Sequence, residues 1–388
     1  MPAAHYGWMV VAFLDCKSDS IDARSAISRG NADSLKCCQM LPFSESRTVK
    51  PSTKIGGFRA PSLPKREPPE LVPSEAKSKP IRVGFIVGPT GAGKTSLAID
   101  LAERLDAEIV NADSRQVYRG MTIGTAKPSD EERRRVPHHL LDIRSPAKPL
   151  DVAEFAKLAR AAISDIAARG RRVLVVGGSG LYLRALRGGI FRGPAASPEI
   201  RSRIEQAART HGVPYLHDRL REIDPEAARR IGVNDLYRIT RALEVFELTG
   251  EPISAHQARH AFSSREYETL TVGIRLERAE LYEAIDRRFD EMIAAGLVDE
   301  VRALIEAGFR ADRPPLASIG YKQIAAYLAG EMPLAQAIAL AKQESRRFAK
   351  RQMTWFRADR EIVWLDRDGF AEQAWRLFGD FFANIETK

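Results

Sequence analysis

Cysteine is nearly absent from this chain of 388 residues: three occur, Cys16, Cys37 and Cys38, all within the first tenth of the sequence. Neither a disulfide framework nor a thiolate metal site can therefore organise the remainder, and a reducing, cytoplasmic setting is expected. Long apolar runs are missing too. The smoothest, at 8–14, 85–87 and 173–176, fall far short of the roughly 18 residues that a membrane helix needs, so no membrane span is expected. No internal repeat of solenoid length is apparent. Charge of one sign prevails only mildly, with 60 Lys and Arg against 51 Asp and Glu, a net +9. That excess favours a polyanionic partner, nucleic acid or a phosphate-rich substrate, and is equally what a basic solvated surface would give.

With 44% apolar residues the chain can bury a substantial core, and its length implies more than one domain. Residues 1–80 lack apolar periodicity and collect Pro61, Pro64, Pro68, Pro69, Pro73 and Pro80, so they are expected to form a disordered extension. Asp15, Asp19 and Asp22 make this stretch unlike an acidic-poor transit sequence, and no basic segment precedes its short apolar run. From Ile81 the character changes. IRVGFIV is a buried-strand run, followed by a glycine-rich turn and a helix whose Leu97, Leu101 and Leu105 share one face. A second strand is expected at 108–112, a helix at 152–168 with Phe155, Leu158, Ala162 and Ile166 inward, and a third strand at 173–176. Such alternation implies a parallel α/β sheet. Strand signals vanish over 194–265, where Arg-rich helices are expected at 200–210, 215–223, 225–231 and 236–249. A strand returns at 270–276, and helices follow at 280–295, 297–307, 318–329 and 333–357. The expected architecture is a P-loop NTPase-like parallel sheet core, 81–193 and 266–388, with an inserted all-helical domain at 194–265 and a helical C-terminal region.

Gly88, Pro89, Thr90, Gly91, Ala92, Gly93, Lys94 and Thr95 form a complete G-x-x-x-x-G-K-T between a strand and a helix. Glycines let backbone N–H groups wrap an anion, the helix N-terminus adds favourable potential, Lys94 brings a point charge, and Thr95 offers a hydroxyl to Mg2+ or a phosphate oxygen. Such a loop recognises a diphosphate more than a nucleoside. Two features speak against an ordinary NTPase. The strand at 173–176 ends in Gly177 and Gly178 where an Mg2+-anchoring Asp is usual, and the acid that does appear, Asp113, sits at the end of the second strand. Strand C-termini of open α/β sheets face the ligand crevice, so Asp113 is placed to act on substrate, although an Asp there can equally be a turn or cap residue.

The segments GPTGAGKT, NADSRQVYRGMTIGTAKP, PHHLLDI, VGGSGLYLRAL, RITRALEVF, SIGYKQ and AKRQMTWF together closely resemble the tRNA dimethylallyltransferases. The resemblance runs from about Ile81 to the end. It implies transfer of the five-carbon allylic group of dimethylallyl diphosphate to N6 of adenosine 37, beside the anticodon of tRNAs reading UNN codons. Diphosphate is released, Mg2+ is the expected cofactor, and the family precedent is a monomer. By the same resemblance Asp113 accepts the amine proton. Lys94, Thr95 and Mg2+, bound by Thr95 directly or through water, stabilise the departing diphosphate, and Arg288 reaches it with a planar fork suited to phosphate oxygens. Without the family, Arg288 would read as one more solvated helix charge.

The tRNA anticodon stem-loop is the implied partner, and the target base must be unstacked and turned inward at a cost of about a few kcal/mol. Asp113, Ser114, Arg115 and Gln116 match the segment near that base, and the Gln116 amide can read a base edge with donor and acceptor together. Ser179 stands where the family more often has Thr. Arg201 and the run Tyr237, Arg238, Ile239, Thr240 and Arg241 match tRNA contacts in the helical insertion, with Tyr237 replacing a more usual polar residue. Ala317, Ser318, Ile319, Gly320, Tyr321 and Lys322 match another tRNA-contact segment. Ala349, Lys350, Arg351, Gln352, Met353, Thr354, Trp355 and Phe356 match a further one, where basic groups suit phosphates and Trp355 reads as core.

His138, His139 and Asp142 resemble a metal cluster by type only, and a structural role is expected. Three other readings stay open on sequence: an adenylate isopentenyltransferase acting on free AMP, ADP or ATP, a P-loop kinase or NTPase that binds RNA, and a non-catalytic RNA-binding module. The Arg-rich insertion argues against the first, the missing strand-end acid against the second, and intact Lys94, Thr95 and Asp113 against the third.

Overall fold

The computed structural model describes residues 80–189, 193–260, 266–366 and 369–383, and the expected N-terminal extension lies outside them. Six parallel strands form one sheet in the order β3-β2-β4-β1-β5-β6. They are β1 (Ile81–Val87), β2 (Ala107–Asn111), β3 (His138–His139), β4 (Arg172–Gly177), β5 (Tyr267–Arg275) and β6 (Ile362–Asp366). The central strand β1 pairs with β4 from Val83↔Val173 to Val87↔Gly177, and on its other edge with β5. A strand covered on both faces reads as a continuous apolar run, which is why IRVGFIV lacks alternation. Its side chains nevertheless divide between two cores. Val83, Phe85 and Val87 join one cluster, and Ile86 joins the other.

The Ile86 side is covered by α1 (Lys94–Leu105) and α14 (Phe370–Ala383) through Leu97, Leu101, Leu105, Ala374, Phe378 and Phe382. Gly84 permits this packing, because a Cβ there would stand 2.7 Å from the Phe378 ring. The opposite side is covered by α3 (Val152–Ala168), α4 (Gly180–Gly188), α10 (Arg278–Ala294), α11 (Leu297–Glu306), α12 (Tyr321–Leu328) and α13 (Leu334–Arg357). The inward face of α3 is wider than expected: Phe155 and Ile166 are buried, Leu158 and Ala162 pack half-buried against the same cluster, and Ala156, Ala159 and Ile163 are buried beside them. The short α2 (Asp130–Arg135) starts at a reciprocal Ser129/Glu132 cap.

Between β4 and β5 the chain forms α5 (Pro198–His211), α6 (Val213–Ile223), α7 (Pro225–Arg230), α8 (Leu236–Thr249) and α9 (Ile253–His260). These helices share a separate apolar cluster built on Ile204, Leu216, Leu220, Ile239 and Leu243. Sequence reading missed β3, β6, α2, α4, α9 and α14. Among the described residues no helix is long and apolar enough to cross a membrane.

Candidate active site

The C-terminal ends of β1, β2 and β4 open onto one cleft, lined by Thr90, Lys94 and Thr95 from the phosphate loop, Asp113 and Gln116 from beyond β2, Arg288 from α10, and Phe348 and Gln352 from α13. Its apolar wall includes Ala98, Ile109, Leu141 and Val176. Gly93 caps α1 with a left-handed backbone, φ 81°, which an L side chain rarely adopts. The loop is closed by its own lysine: Lys94 Nζ donates to Pro89 O at 2.7 Å. Burial lowers the Lys94 ammonium to about 8, helped by the positive charge of Arg288 and opposed by Asp113. Arg288 donates to Thr90 Oγ1 at 3.3 Å, and burial presses on its guanidinium while Asp113 supports the charge. Among the described residues neither cation has an ion-pair partner within 4 Å. Two positive groups with no carboxylate in contact, beside the backbone amides of Gly91 and Gly93, are a site prepared for a polyvalent anion.

Asp113 is held by its own turn. Its N–H donates to Asn111 Oδ1 at 3.1 Å and its Oδ1 accepts from the Arg115 N–H at 2.7 Å, while Asn111 Nδ2 reaches Leu140 O at 3.3 Å. Both cations feel its charge, which places the carboxylate beside the same cleft. Ser179 Oγ accepts from the Ser114 N–H at 3.0 Å, so this hydroxyl joins the β2 and β4 ends. Gln116 departs from the expected two-handed reading of a base, because its Nε2 already donates to Thr125 O and Ala126 O at 3.1 and 3.0 Å. That leaves Oε1 alone for recognition.

The glycines ending β4 have a steric cause. A Cβ on Gly177 would lie 2.3 Å from Ala112 O, one on Gly178 2.4 Å from Gln352 Nε2, and one on Gly180 2.2 Å from Trp355 Nε1. The strand end is therefore roofed by α13, where an NTPase would carry its metal-anchoring acid. Trp355 itself is not core, contrary to expectation. Its indole lies against Gly180 with 40% of the residue exposed, and Phe356 is the buried neighbour.

The expected tRNA-contact residues separate by environment. Lys350 and Thr354 are exposed and Arg351 half-buried on α13, whereas Ala349 and Met353 are buried. Tyr237 is exposed on α8, and Arg238 is exposed beside Asp235. Ile239 and Thr240 are buried, and Arg201 and Arg241 both bind the buried Glu244 carboxylate at 2.8 and 2.6 Å. Around α12, Ser318, Gly320 and Tyr321 are buried, Ala317 and Ile319 are half-buried, and Lys322 pairs with Glu344 at 2.7 Å.

The Tyr321 hydroxyl donates to Glu300 at 2.6 Å, and the Glu300 carboxylate also accepts the N–H groups of Thr122, Ile123 and Gly124 at 2.9, 2.7 and 3.1 Å. Sequence reading missed Glu300, since its three backbone partners lie 176 to 178 residues earlier. His139 Nε2 lies 2.7 Å from Glu108, which Arg169 grips with both nitrogens; Asp142 pairs with Lys127 and Arg133; and His138 Nδ1 meets Val136 O at 2.8 Å.

The model of the IPP transferase family matches residues 116–359. A tRNA dimethylallyltransferase of Geobacter metallireducens is 53% identical over 288 residues, 74% of this chain and 93% of its own length. A tRNA dimethylallyltransferase 1 of Pelobacter propionicus is 52% identical over 285 residues, 74% and 92% of the two chains. The full-length tRNA isopentenylpyrophosphate transferase of Bacillus halodurans superposes with a TM-score of 0.58 at 40% identity, covering 78% of this chain and 97% of that one. A eukaryotic dimethylallyltransferase solved acting on tRNA gives 0.67 at 26% identity, over 79% and 81%.

Proposed function

The chain belongs to the IPP transferase family and is a tRNA prenyltransferase, and from that premise we propose that it moves the dimethylallyl group of dimethylallyl diphosphate onto N6 of adenosine 37 in tRNAs reading UNN codons. The observation that carries the reading is the convergence of Lys94, Arg288 and Asp113 on one cleft whose β4 end lacks an acid. In the reaction the C1–O bond to diphosphate breaks, the N6–C1 bond forms, and an N6 proton passes to the Asp113 carboxylate. The N–H groups of Gly91, Gly93, Lys94 and Thr95 bind the diphosphate, and Lys94 and Arg288 offset the charge that grows on its bridging oxygen as the bond stretches. Ala98, Ile109, Leu141 and Val176 offer an apolar wall to the allylic chain and help exclude water that would hydrolyse it.

A divalent ion, Mg2+ in this proposal, fits the donor set. Thr95 stands in the first turn of α1 on the cleft wall and its hydroxyl would hold the ion there, beside the diphosphate oxygens. When bound it neutralises diphosphate charge. The tRNA side of the cleft is formed by the Asp113 to Gln116 turn, Ser179, and the exposed face of α13 with Lys350, Arg351 and Trp355, met by the anticodon stem-loop from the direction of the helices α5 to α9. A cytoplasmic monomer is the form proposed.

The test incubates the protein with labelled dimethylallyl diphosphate, Mg2+, and either an unmodified anticodon stem-loop or free AMP, followed by nucleoside mass analysis. Label at adenosine 37 of the stem-loop is expected. Label in AMP alone would reassign the acceptor, and label in neither would return the loop to nucleotide chemistry.

A further inference from the structure

Gln352 sits on α13 among the residues that the family resemblance assigns to tRNA, yet its side chain faces the opposite way. It is 7% exposed. Its Oε1 accepts the Thr90 N–H at 2.9 Å, and its Nε2 donates to Gly178 O at 2.9 Å. One amide thus engages the phosphate loop that follows β1 and the turn that follows β4, and both of its functional groups are used. A primary amide carries an acceptor oxygen and a donor nitrogen side by side, so one planar group meets the N–H and the carbonyl at once. The fit is close: any Cβ at position 178 would stand 2.4 Å from Nε2. Thr90 is also the residue whose hydroxyl receives Arg288, so Gln352 and Arg288 hold the same loop residue from two helices.

We propose that Gln352 is a positioning residue for the diphosphate: it fixes the phosphate loop in its binding conformation from α13, and it does not contact tRNA. The proposal rests on the functional reading above. A loop with three positive-φ glycines, Gly88, Gly91 and Gly93, has many conformations to lose, and an anion that must order it binds more weakly than one that meets it already shaped. The amide tie removes that ordering cost before the substrate arrives.

The test compares wild type with Gln352→Met, which keeps the volume and removes both hydrogen bonds, and with Gly178→Ala, which leaves the glutamine intact and pushes its Nε2 away. Three quantities are measured: the Kd for inorganic diphosphate, the Kd for an unmodified anticodon stem-loop, and the exchange rate of the Thr90 backbone amide by NMR. About tenfold weaker diphosphate binding is expected in both variants, with a higher KM for dimethylallyl diphosphate, faster Thr90 exchange, and unchanged stem-loop affinity. Rescue by the shorter amide Gln352→Asn is expected to be partial at most. Unchanged diphosphate binding, or a loss of stem-loop affinity in either variant, would overturn the assignment. Should Gln352→Met fail to fold, Gly178→Ala decides alone. A wild-type protein that binds no diphosphate would overturn the functional reading and this inference together, whereas equal binding by wild type and variants would overturn this inference alone.

Discussion

Arg201 and Arg241 on the helices between β4 and β5, and Lys94 and Arg288 beside the phosphate loop, are the same kind of residue in the sequence but occupy opposite electrostatic situations. The first two converge on Glu244, a fully buried carboxylate that also accepts the Ser197 N–H at 2.8 Å. Burial pushes the Glu244 carboxyl up, and the two arginines with the Ser197 amide outweigh it, so it ionises below the usual range. Their charge is consumed in holding α5 to α8. Among the described residues Lys94 and Arg288 have no such partner, burial lowers the proton affinity of both, Arg288 lowers that of Lys94 further, and the two are held beside the glycine amides of the loop. An arginine is evidence of ligand binding only when the protein has not already supplied its counter-charge.

That contrast is open to experiment. Asp113→Asn should lower kcat by about 10² to 10⁴ while leaving stem-loop affinity within a factor of a few, as single-turnover assays and gel shifts would report; a small effect would remove the chemistry from this cluster. Glu244→Ala should destabilise the protein by about 3–5 kcal/mol, because two guanidinium groups lose their buried partner, and hydrogen exchange should accelerate first in α5 and α8. Loss of tRNA affinity at unchanged stability would instead place Arg201 and Arg241 on the binding surface and break the comparison.

The Lys94 ammonium, lowered to about 8, predicts a pH effect whose sign follows from charge. Diphosphate binds the protonated form and raises its affinity for the proton. Binding is therefore strongest below pH 8 and weakens as pH rises through it, by up to about tenfold per pH unit, with proton uptake visible by calorimetry in buffers of different ionisation enthalpy. Lys94→Gln should bind weakly and without this dependence. The smallest effect is structural: Tyr321→Phe should cost about 1–2 kcal/mol in chemical denaturation, since it removes one bond to Glu300 and leaves the three backbone donors in place.

The strand, loop and helix from Ile81 to Leu105 are legible in sequence because an apolar run, a glycine spacing and a leucine stripe agree within a few turns of chain. Asp113 is legible as a strand-end acid for the same local reason. What escapes is non-local or short. The strand β6 has five residues, of which Ile362 and Leu365 are buried and Val363 is exposed, too brief a pattern to separate from the end of α13. The role of Gln352 depends on a loop 262 residues earlier, and that of Arg201 on Glu244, 43 residues later. Trp355 misleads because an indole usually marks a core, whereas here a glycine backbone gives it a flat surface to lie on with one side in solvent.

The glycine run that ends β4 also bounds what this chain can become. Acquiring nucleotide hydrolysis would require a carboxylate at that strand end, and the first candidate position would drive a Cβ into the Ala112 carbonyl at 2.3 Å, a backbone atom that cannot swing aside. The next position would collide with the Gln352 amide that shapes the phosphate loop, so gaining the acid would deform the site meant to use it. No single substitution there leads toward an ATPase, and the path between the two chemistries passes through a chain that does neither well.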